Sequence, residues 1–216
     1  MVKENYNIID AYIENNKQLI IFISGLSGTN KSKIAQALSK ELELEYLNTR
    51  DFIEKDKAKE IELPNKETIK VYNDYDWDKI IDKIKEKKNK GIIVVGEYFP
   101  TEKLKDIEST LHFHIKLAKQ NLIKKRLEYI KSLNEEEQKQ YKDESTETLI
   151  INQVVYPYYI DMLQKSKINR FINANEYAEL KEEEFNEKII DKIFKDIIEY
   201  IIENLKNKNL DKYIVY

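Results

Sequence analysis

Two hydrophobic patterns alternate along the chain, one typical of buried strands and the other of amphipathic helices. The run from Leu19 to Ser24 is continuously apolar and rich in β-branched residues, as in a parallel strand covered on both faces. After a glycine-containing turn, the segment from Lys31 to Leu42 places four apolar residues on one helical face: Ile34, Ala35, Leu38 and Leu42. The pattern therefore predicts a strand, a loop and a helix, in that order.

The same alternation continues toward the C-terminus. Further strands are predicted near Leu44 to Asn48, Ile92 to Val95, Leu111 to Leu117 and Arg170 to Asn173, and helices at about Trp77 to Lys88 and Lys119 to Ser132. Strands that alternate with helices indicate an α/β fold with a doubly wound parallel sheet of about five strands. In such a sheet, ligands bind at the carboxyl ends of the strands. This core covers about residues 18–175.

Three segments lie outside the alternation. Residues 134–148 are highly charged and nearly free of apolar side chains, so they form either a solvated surface loop or a mobile lid. Residues 183–206 carry a wide apolar stripe at helical spacing, which predicts an extra C-terminal helix that covers the core or forms a dimer seam. Residues 1–16 are predicted to form an N-terminal helix, and residues 1–216 a single domain.

The charge balance argues against two classes of partner. The 216 residues include 40 acidic and 37 basic side chains, so the net field is too weak to indicate nucleic acid or an anionic membrane. The sequence has neither a secretory signal pattern nor a run of about 18 to 20 apolar residues that would span a bilayer. We therefore expect a cytoplasmic protein without a nucleic-acid or membrane partner.

The sequence offers little for a metal site built from protein side chains alone. Cysteine is absent, which excludes disulfides and cysteine-based metal or redox chemistry. His112 and His114 alternate within a predicted strand and would face the same side of it. The surrounding sequence suggests no third ligand, so the histidine pair is not favoured as a metal centre.

A candidate phosphate-binding loop follows the first strand, with the sequence Gly25-Leu26-Ser27-Gly28-Thr29-Asn30-Lys31-Ser32. The chain has four glycines, and two of them lie in this loop, where a phosphate cradle needs positive φ and close backbone approach. The usual pattern is G-x-x-x-x-G-K-[ST], and Asn30 replaces its second glycine. Asparagine tolerates left-handed backbone better than other non-glycine residues, so we expect a positive φ at Asn30.

The loop residues have defined chemical roles if a Mg·ATP-like nucleotide binds. Backbone N–H groups and the positive end of the following helix would hold the phosphates, with Gly25, Ser27, Gly28, Thr29 and Asn30 forming the cradle. Lys31 would reach the β- and γ-phosphates, and the Ser32 hydroxyl would ligate Mg²⁺. The alternative is an ordinary strand-to-helix turn in which Lys31 and Ser32 begin a helix.

Two acidic residues follow predicted strands near this loop. Phosphoryl transfer to a hydroxyl uses a carboxylate near the acceptor and an acidic group that holds Mg²⁺. Asp51 follows the second strand and is the candidate general base, although it could instead be a helix N-cap. Glu97 ends the strand beginning at Ile92 and is the candidate metal ligand, although it could be a solvated strand terminus.

Several segments together resemble the uridine/cytidine kinase branch of the P-loop nucleoside kinases. Gly25 to Ser32 resembles that family's G-x-S-G-x-G-K-S/T loop, and Asp51-Phe52 resembles its Asp-Phe-Tyr segment, where the aspartate is the base for the 5′-hydroxyl. Asn73 to Asp78 resembles the D-A-F-D-W-D segment of the nucleoside pocket. Ile92 to Glu97 is similar to a strand ending in Glu-Gly, although the order here is Gly96-Glu97. The resemblance implies a P-loop NTPase/kinase fold with ATP and Mg²⁺ as cofactors.

The chain also departs from that family in two further places. Val71-Tyr72 stands where the family has His-Pro, and Lys124-Lys125-Arg126 represents its arginine-rich lid helix. The resemblance implies a catalytic role for Arg126 beside Lys31 and Asp51. Lysine neutralises phosphate charge but lacks the bidentate fork of arginine, so the departure weakens the expected clamp on the transferred phosphoryl group.

The acceptor site is expected around an aromatic segment. Tyr72, Tyr75 and Trp77 offer flat faces on which a nucleoside base could stack, and Asp51 and Asp76 are available for ribose hydroxyls. The alternative is that these aromatic side chains belong to the hydrophobic core.

The sequence thus favours a cytoplasmic enzyme that transfers the γ-phosphoryl group of ATP to a nucleoside of the uridine or cytidine type. A P-loop kinase for another small hydroxyl compound is one alternative. A non-catalytic nucleotide-binding regulator is the other, favoured by Asn30 and the arginine-poor lid. The protein could also form a homo-oligomer.

Overall fold

The apolar runs of the sequence form a parallel sheet. The computed structural model describes residues 8–139 and 141–208. Its strands are β1 (Ile20–Ser24), β2 (Glu45–Asn48), β3 (Lys59–Glu62), β4 (Thr68–Val71), β5 (Ile92–Gly96), β6 (Leu111–Lys116) and β7 (Arg170–Asn173). Five of them pair in parallel in the order β2-β5-β1-β6-β7, while β3 and β4 form a separate antiparallel hairpin. The predicted doubly wound α/β sheet of about five strands is confirmed.

Helices cover both faces of this sheet. They are α1 (Ile8–Asn16), α2 (Lys31–Glu41), α3 (Trp77–Lys87), α4 (Lys119–Ser132), α5 (Glu135–Gln138), α6 (Glu144–Ile150), α7 (Tyr156–Gln164) and α8 (Glu182–Asn207). Successive residues of β1 face opposite sides of the sheet, and both sides are buried, which explains why this strand is apolar throughout. Ile21 and Ile23 belong to one buried cluster, with α2 and α8, whereas Ile20 and Phe22 belong to a second cluster on the other face, with α3.

The central strand β1 is the point where the sheet changes its direction of growth. The chain places β2 and β5 on one side of β1 and then β6 and β7 on the other. Ser24, the last residue of β1, pairs in register with Gly96 of β5 and His114 of β6. The carboxyl ends of these three strands therefore meet at one edge, where doubly wound sheets bind their ligands.

The terminal helices lie against the core. Six α8 residues at helical spacing are fully buried: Phe185, Ile189, Ile193, Ile197, Ile201 and Leu205. The predicted C-terminal helix of residues 183–206 therefore covers the core, packing on α1 and α2. The predicted N-terminal helix of residues 1–16 is seen from Ile8 onward, and residues 1–7 lie outside the described part. Within the described residues, no helix is both long and apolar enough to cross a membrane.

The charged region of residues 134–148 has more structure than the sequence indicated. It contains α5 and most of α6, and Thr146 and Glu147 are buried. From α6 the chain continues through a π-helical turn at Ile151–Val155 into α7. Pro157 lies in the first turn of α7 and has no N–H to give, which disfavours an unbroken α-helical ladder through this point.

Candidate functional site

The loop between β1 and α2 has the backbone that its sequence predicts. Gly28 has φ 99°, and Asn30 is left-handed, with φ 54° and ψ 18°, as expected. A Cβ atom on Gly25 would lie 2.9 Å from the Thr29 hydroxyl and 3.0 Å from the Ile115 carbonyl, so the loop packs tightly on β6. Thr29 closes the turn because its side chain and its N–H both donate to the Leu26 carbonyl, at 2.8 and 3.2 Å.

Lys31 supplies a buried positive charge at this loop. Its side chain is 5% exposed, and burial lowers the pKa of its ammonium to about 8, so it is charged at pH 7. Among the described residues, no carboxylate forms a direct ion pair with it, although Glu97 lies close enough to favour the charged form. A buried ammonium that lacks a direct counterion is suited to an anionic ligand, and a polyphosphate chain would fill that role.

A cleft of about 420 Å³, here called the loop cleft, opens over this lysine. It is lined by six cationic side chains and two carboxylates, together with loop residues: Ser27, Gly28, Asn30, Lys31, Ser32, Lys33, Arg50, Lys125, Arg126, Glu128, Tyr129, Ser132, Tyr141, Leu180, Lys181 and Glu182. Lys125 is buried, with its ammonium 4.4 Å from the centre of the Phe185 ring. The excess of positive charge fits a nucleoside triphosphate.

A second cleft of about 630 Å³, the tyrosine cleft, adjoins the first. Its aromatic wall contains Tyr72, Tyr75, Tyr98, Tyr141, Tyr158 and Tyr159, and its aliphatic wall contains Leu26, Ile53, Ile69, Val71, Ile150, Val154 and Val155. Residues of α6, of the π-helical turn and of α7 all contribute to this lining. Ser27, Arg50, Arg126 and Tyr141 line both clefts, so the two spaces meet at the loop between β1 and α2.

Most charges in the tyrosine cleft are paired within the protein. Arg50 lies 3.1 Å from Glu97, Arg126 lies 3.5 Å from Glu147, and Lys142 lies 2.9 Å from Glu67. Lys70 is the remaining cation of this lining, and within the described chain it has no ion pair, but its side chain is exposed. The cleft therefore presents tyrosine rings and hydroxyls rather than an unpaired buried charge.

The structure separates the two candidate acids. Glu97 lines the tyrosine cleft, bonds to Arg50 and lies near Lys31. Asp51 is exposed in a 3₁₀ turn after β2 and is not among the described residues that line either cleft. The Asn48 side chain, rather than Asp51, caps that turn by accepting from the Arg50 N–H.

The residues of the predicted aromatic segment also fall into two groups, those that line the tyrosine cleft and those that do not. Tyr72 and Tyr75 line the tyrosine cleft, with Tyr72 44% exposed and Tyr75 buried. Trp77 packs against Tyr75 and the core cluster below it. Asp76 is the N-cap of α3, since its carboxylate accepts from the Lys79 N–H and pairs with the Lys79 ammonium. Trp77 and Asp76 are not among the described lining residues.

The loop cleft fits Mg²⁺ when the ion arrives with a nucleotide. Ser32 lines the cleft at the start of α2, in the position that supplies a hydroxyl ligand beside the phosphates. Within residues 8–139 and 141–208, no cluster of three or more His, Asp or Glu side chains could hold a metal by itself. Mg²⁺ does not need one, because it binds through few protein oxygens together with phosphates and water.

Sequence reasoning missed several lining residues. Arg50 carries charge at the junction of the clefts, Glu147 pairs with Arg126 there, and Tyr98 and Tyr158 form part of the aromatic wall. The hydroxyls of Tyr98 and Tyr158 lie 3.1 Å apart, and both point to the Asn73 carbonyl. One feature of the sequence indicated Arg50, namely its position directly before the candidate base Asp51.

Comparisons with known proteins identify the fold. No protein-family model and no curated protein matches the sequence. Among solved structures, shikimate kinase from Bacteroides thetaiotaomicron superposes with a TM-score of 0.51 at 12% identity, over 84% of this chain and 99% of the other. An uncharacterized protein from Eubacterium ventriosum gives a TM-score of 0.49 at 16% identity, over 86% and 99%. At this identity the likeness shows the fold alone, an α/β fold shared with that shikimate kinase.

Proposed function

We propose that this protein is an ATP-dependent small-molecule kinase whose acceptor is an uncharged, ring-bearing hydroxyl compound of the nucleoside class. The observation that carries the proposal is the meeting of two chemically different clefts at one phosphate loop. One cleft is cationic and contains Lys31, and the other is lined by tyrosines, with Arg126 at the junction. A phosphoryl donor and an acceptor bound in these two spaces would face each other across the loop.

The acceptor class follows from the lining of the tyrosine cleft. Tyrosine rings offer flat apolar faces on which a base can stack, and their hydroxyls can bind ring substituents. A carboxylate or phosphate on the acceptor would need an unpaired buried cation, whereas Arg50 and Lys142 already pair with carboxylates and Lys70, unpaired among the described residues, is exposed. Arg126 pairs with Glu147 and contacts Ser27, so its remaining donors face the loop that would hold the donor phosphates. Uncharged nucleosides, such as uridine and cytidine, therefore fit better than nucleoside monophosphates or hydroxy acids.

The residues at the junction have separable roles in the transfer. Lys31 and the loop N–H groups hold the β- and γ-phosphates, and Arg126 stabilises the charge on the transferred group. When bound beside Ser32, Mg²⁺ supplies charge neutralisation for those phosphates. We assign the general base to Glu97, in preference to Asp51, because Glu97 is the acid that lines the tyrosine cleft beside Lys31. Glu97 accepts the acceptor's hydroxyl proton as that oxygen bonds to the γ-phosphorus and ADP departs.

A turnover assay with Mg·ATP over a panel of acceptors tests the proposal. The panel contains uridine, cytidine, adenosine and guanosine, the corresponding monophosphates, and the hydroxy acid shikimate. We expect ADP formation with at least one nucleoside and a lower kcat/KM with its monophosphate and with shikimate. Turnover confined to shikimate or to a monophosphate would overturn the acceptor class, and ADP formation with none of the panel would favour the non-catalytic regulator.

A further inference from the structure

Four polar side chains form a continuous chain of hydrogen bonds through the interior, next to the phosphate loop. The Ser24 hydroxyl lies 2.7 Å from Nε2 of His112 and 2.9 Å from Nδ1 of His114. Nε2 of His114 bonds to the hydroxyl of Tyr159, and Nδ1 of His112 lies 3.0 Å from the Lys167 carbonyl. Ser24, His112 and His114 are each at most 1% exposed, so water does not compete for these bonds.

The donors and acceptors of this chain can be assigned from one fixed end. The Lys167 carbonyl can only accept, so Nδ1 of His112 carries a proton. A neutral His112 then has a lone pair on Nε2, which accepts from the Ser24 hydroxyl. Because Ser24 has given its single proton, its oxygen accepts from Nδ1–H of His114. Nε2 of His114 is therefore the acceptor of the Tyr159 proton.

Other assignments of donors and acceptors to these four side chains are less favourable. Ser24 also lies 3.4 Å from the Phe113 carbonyl, but donating there would leave its oxygen facing the Nε2 lone pair of His112 at 2.7 Å. Both rings are neutral near pH 7, since burial lowers the pKa of His112 to about 4 and that of His114 to about 3. In the assigned arrangement every proton has an acceptor, and every bond runs in one direction from Tyr159 to Lys167.

This hydrogen-bond chain joins two parts of the site that are distant in sequence. Ser24 immediately precedes Gly25 and pairs in register with His114, while Gly25 packs against Ile115 of the same strand β6. Tyr159 is on α7 and lines the tyrosine cleft. We propose that Tyr159, His114, Ser24 and His112 form a one-directional positioning chain that fixes the start of the phosphate loop relative to the α7 wall of the tyrosine cleft.

The assignment has a consequence for ligand recognition, and this part rests on the proposed function. The single proton of the Tyr159 hydroxyl is given to His114, so its oxygen can only accept from a molecule in the tyrosine cleft. The Tyr158 hydroxyl differs, because it bonds to the Tyr98 hydroxyl and the Asn73 carbonyl, which are not part of this hydrogen-bond chain. Tyr159 thus favours acceptors that present a donor, such as an N–H or O–H group, to that wall.

The tautomers give the first test, which needs neither substrate nor variant. The protein contains two histidines, so its long-range ¹H–¹⁵N correlation spectrum shows two imidazole patterns. We expect both rings to be neutral at pH 7 with the proton on Nδ1. A proton on Nε2 of either ring, or an imidazolium at pH 7, would overturn the assigned direction and with it the proposal.

Hydrogen exchange of the phosphate loop tests the positioning role. Tyr159→Phe removes one donor from the chain and keeps the ring, whereas the matched control Tyr158→Phe makes the same change on the same wall. Losing one buried hydrogen bond should speed exchange of the Gly25–Gly28 amides by about 2- to 10-fold in Tyr159→Phe. We expect no change in Tyr158→Phe. Unchanged exchange in Tyr159→Phe, or equal acceleration in both variants, would overturn the role.

These outcomes are separable from those that test the reaction. Exchange and tautomers are measured without nucleotide, so a protein that fails to bind ATP or to turn over any acceptor would contradict the proposed function and leave both results standing. Conversely, an active kinase with Nε2–H histidines would keep its proposed function and lose the positioning chain.

Discussion

Asn30 shows how far a single residue can be understood from its local sequence. It occupies the position where the phosphate-loop pattern has glycine, and its backbone is left-handed. The prediction succeeded because φ depends on the residue and its immediate neighbours in a short turn between a strand and a helix. The exposed or buried position of a side chain such as Asp51 depends instead on distant segments, and its local sequence does not contain that information.

Substitution of Asn30 tests the backbone requirement. Asn30→Gly should keep or improve ATP affinity, because glycine adopts positive φ without a steric penalty. Asn30→Val should lower stability or ATP affinity by about 1 to 3 kcal/mol, since a β-branched residue is strained there. Thermal unfolding and calorimetric titration of both variants provide the comparison. A valine variant that matches the wild type in both measurements would show that this position needs no special backbone.

The general base is a second question at the residue scale. Glu97→Gln should lower turnover by about 10²- to 10⁴-fold with little change in ATP affinity, because the carboxylate acts on the acceptor hydroxyl. Asp51→Asn, an equally isosteric change, should stay within a few fold of wild type. Steady-state kinetics with the acceptor found in the panel distinguish the two. The reverse ranking would return the base to Asp51, and a parallel loss of ATP binding in Glu97→Gln would make Glu97 a metal ligand.

At the scale of elements, the sequence predicted those whose pattern is local and long enough. The strands β1 and β5 each carry a continuous apolar run, and α2, α3, α4 and α8 each carry a helical stripe. The β3–β4 hairpin was missed because each strand has four residues, none of which is buried. The segment from α6 to α7 was missed because charged residues mask its start and Pro157 interrupts its periodicity. Both missed elements contribute to the lining of the tyrosine cleft, so the proposed acceptor site was less predictable from the sequence than the loop after β1.

Helix α8 permits a test of its role as core cover. Ile197 is fully buried and the adjacent Ile198 is partly exposed, so the two make a matched pair on one helix. Ile197→Ala should lower the free energy of unfolding by about 2 to 5 kcal/mol, as large-to-small core substitutions do. Ile198→Ala should cost less than half as much. Denaturant unfolding gives both values; a larger loss in Ile198→Ala, together with a change in oligomeric state, would indicate a dimer seam instead.

At the scale of the whole molecule, the topology explains why function could be approached from sequence. Alternating strands and helices predicted a doubly wound sheet, and the sheet order places the loop after β1 beside the ends of β5 and β6. The phosphate loop and Glu97 therefore lie at one edge. The identity of the proposed acceptor could not be predicted in the same way, because the tyrosine cleft takes its hydroxyls and rings from segments between Ile53 and Tyr159.

The central claim is that the loop containing Lys31 binds the phosphates of ATP. Calorimetric titration with Mg·ATP at pH 7, where Lys31 is charged, tests it most directly in the wild type, Lys31→Ala and the control Lys40→Ala, an exposed lysine on the same helix. Loss of a charge-assisted contact should weaken ATP binding by about 10- to 100-fold in Lys31→Ala and leave Lys40→Ala unchanged. Equal ATP affinity in the wild type and Lys31→Ala would contradict the account.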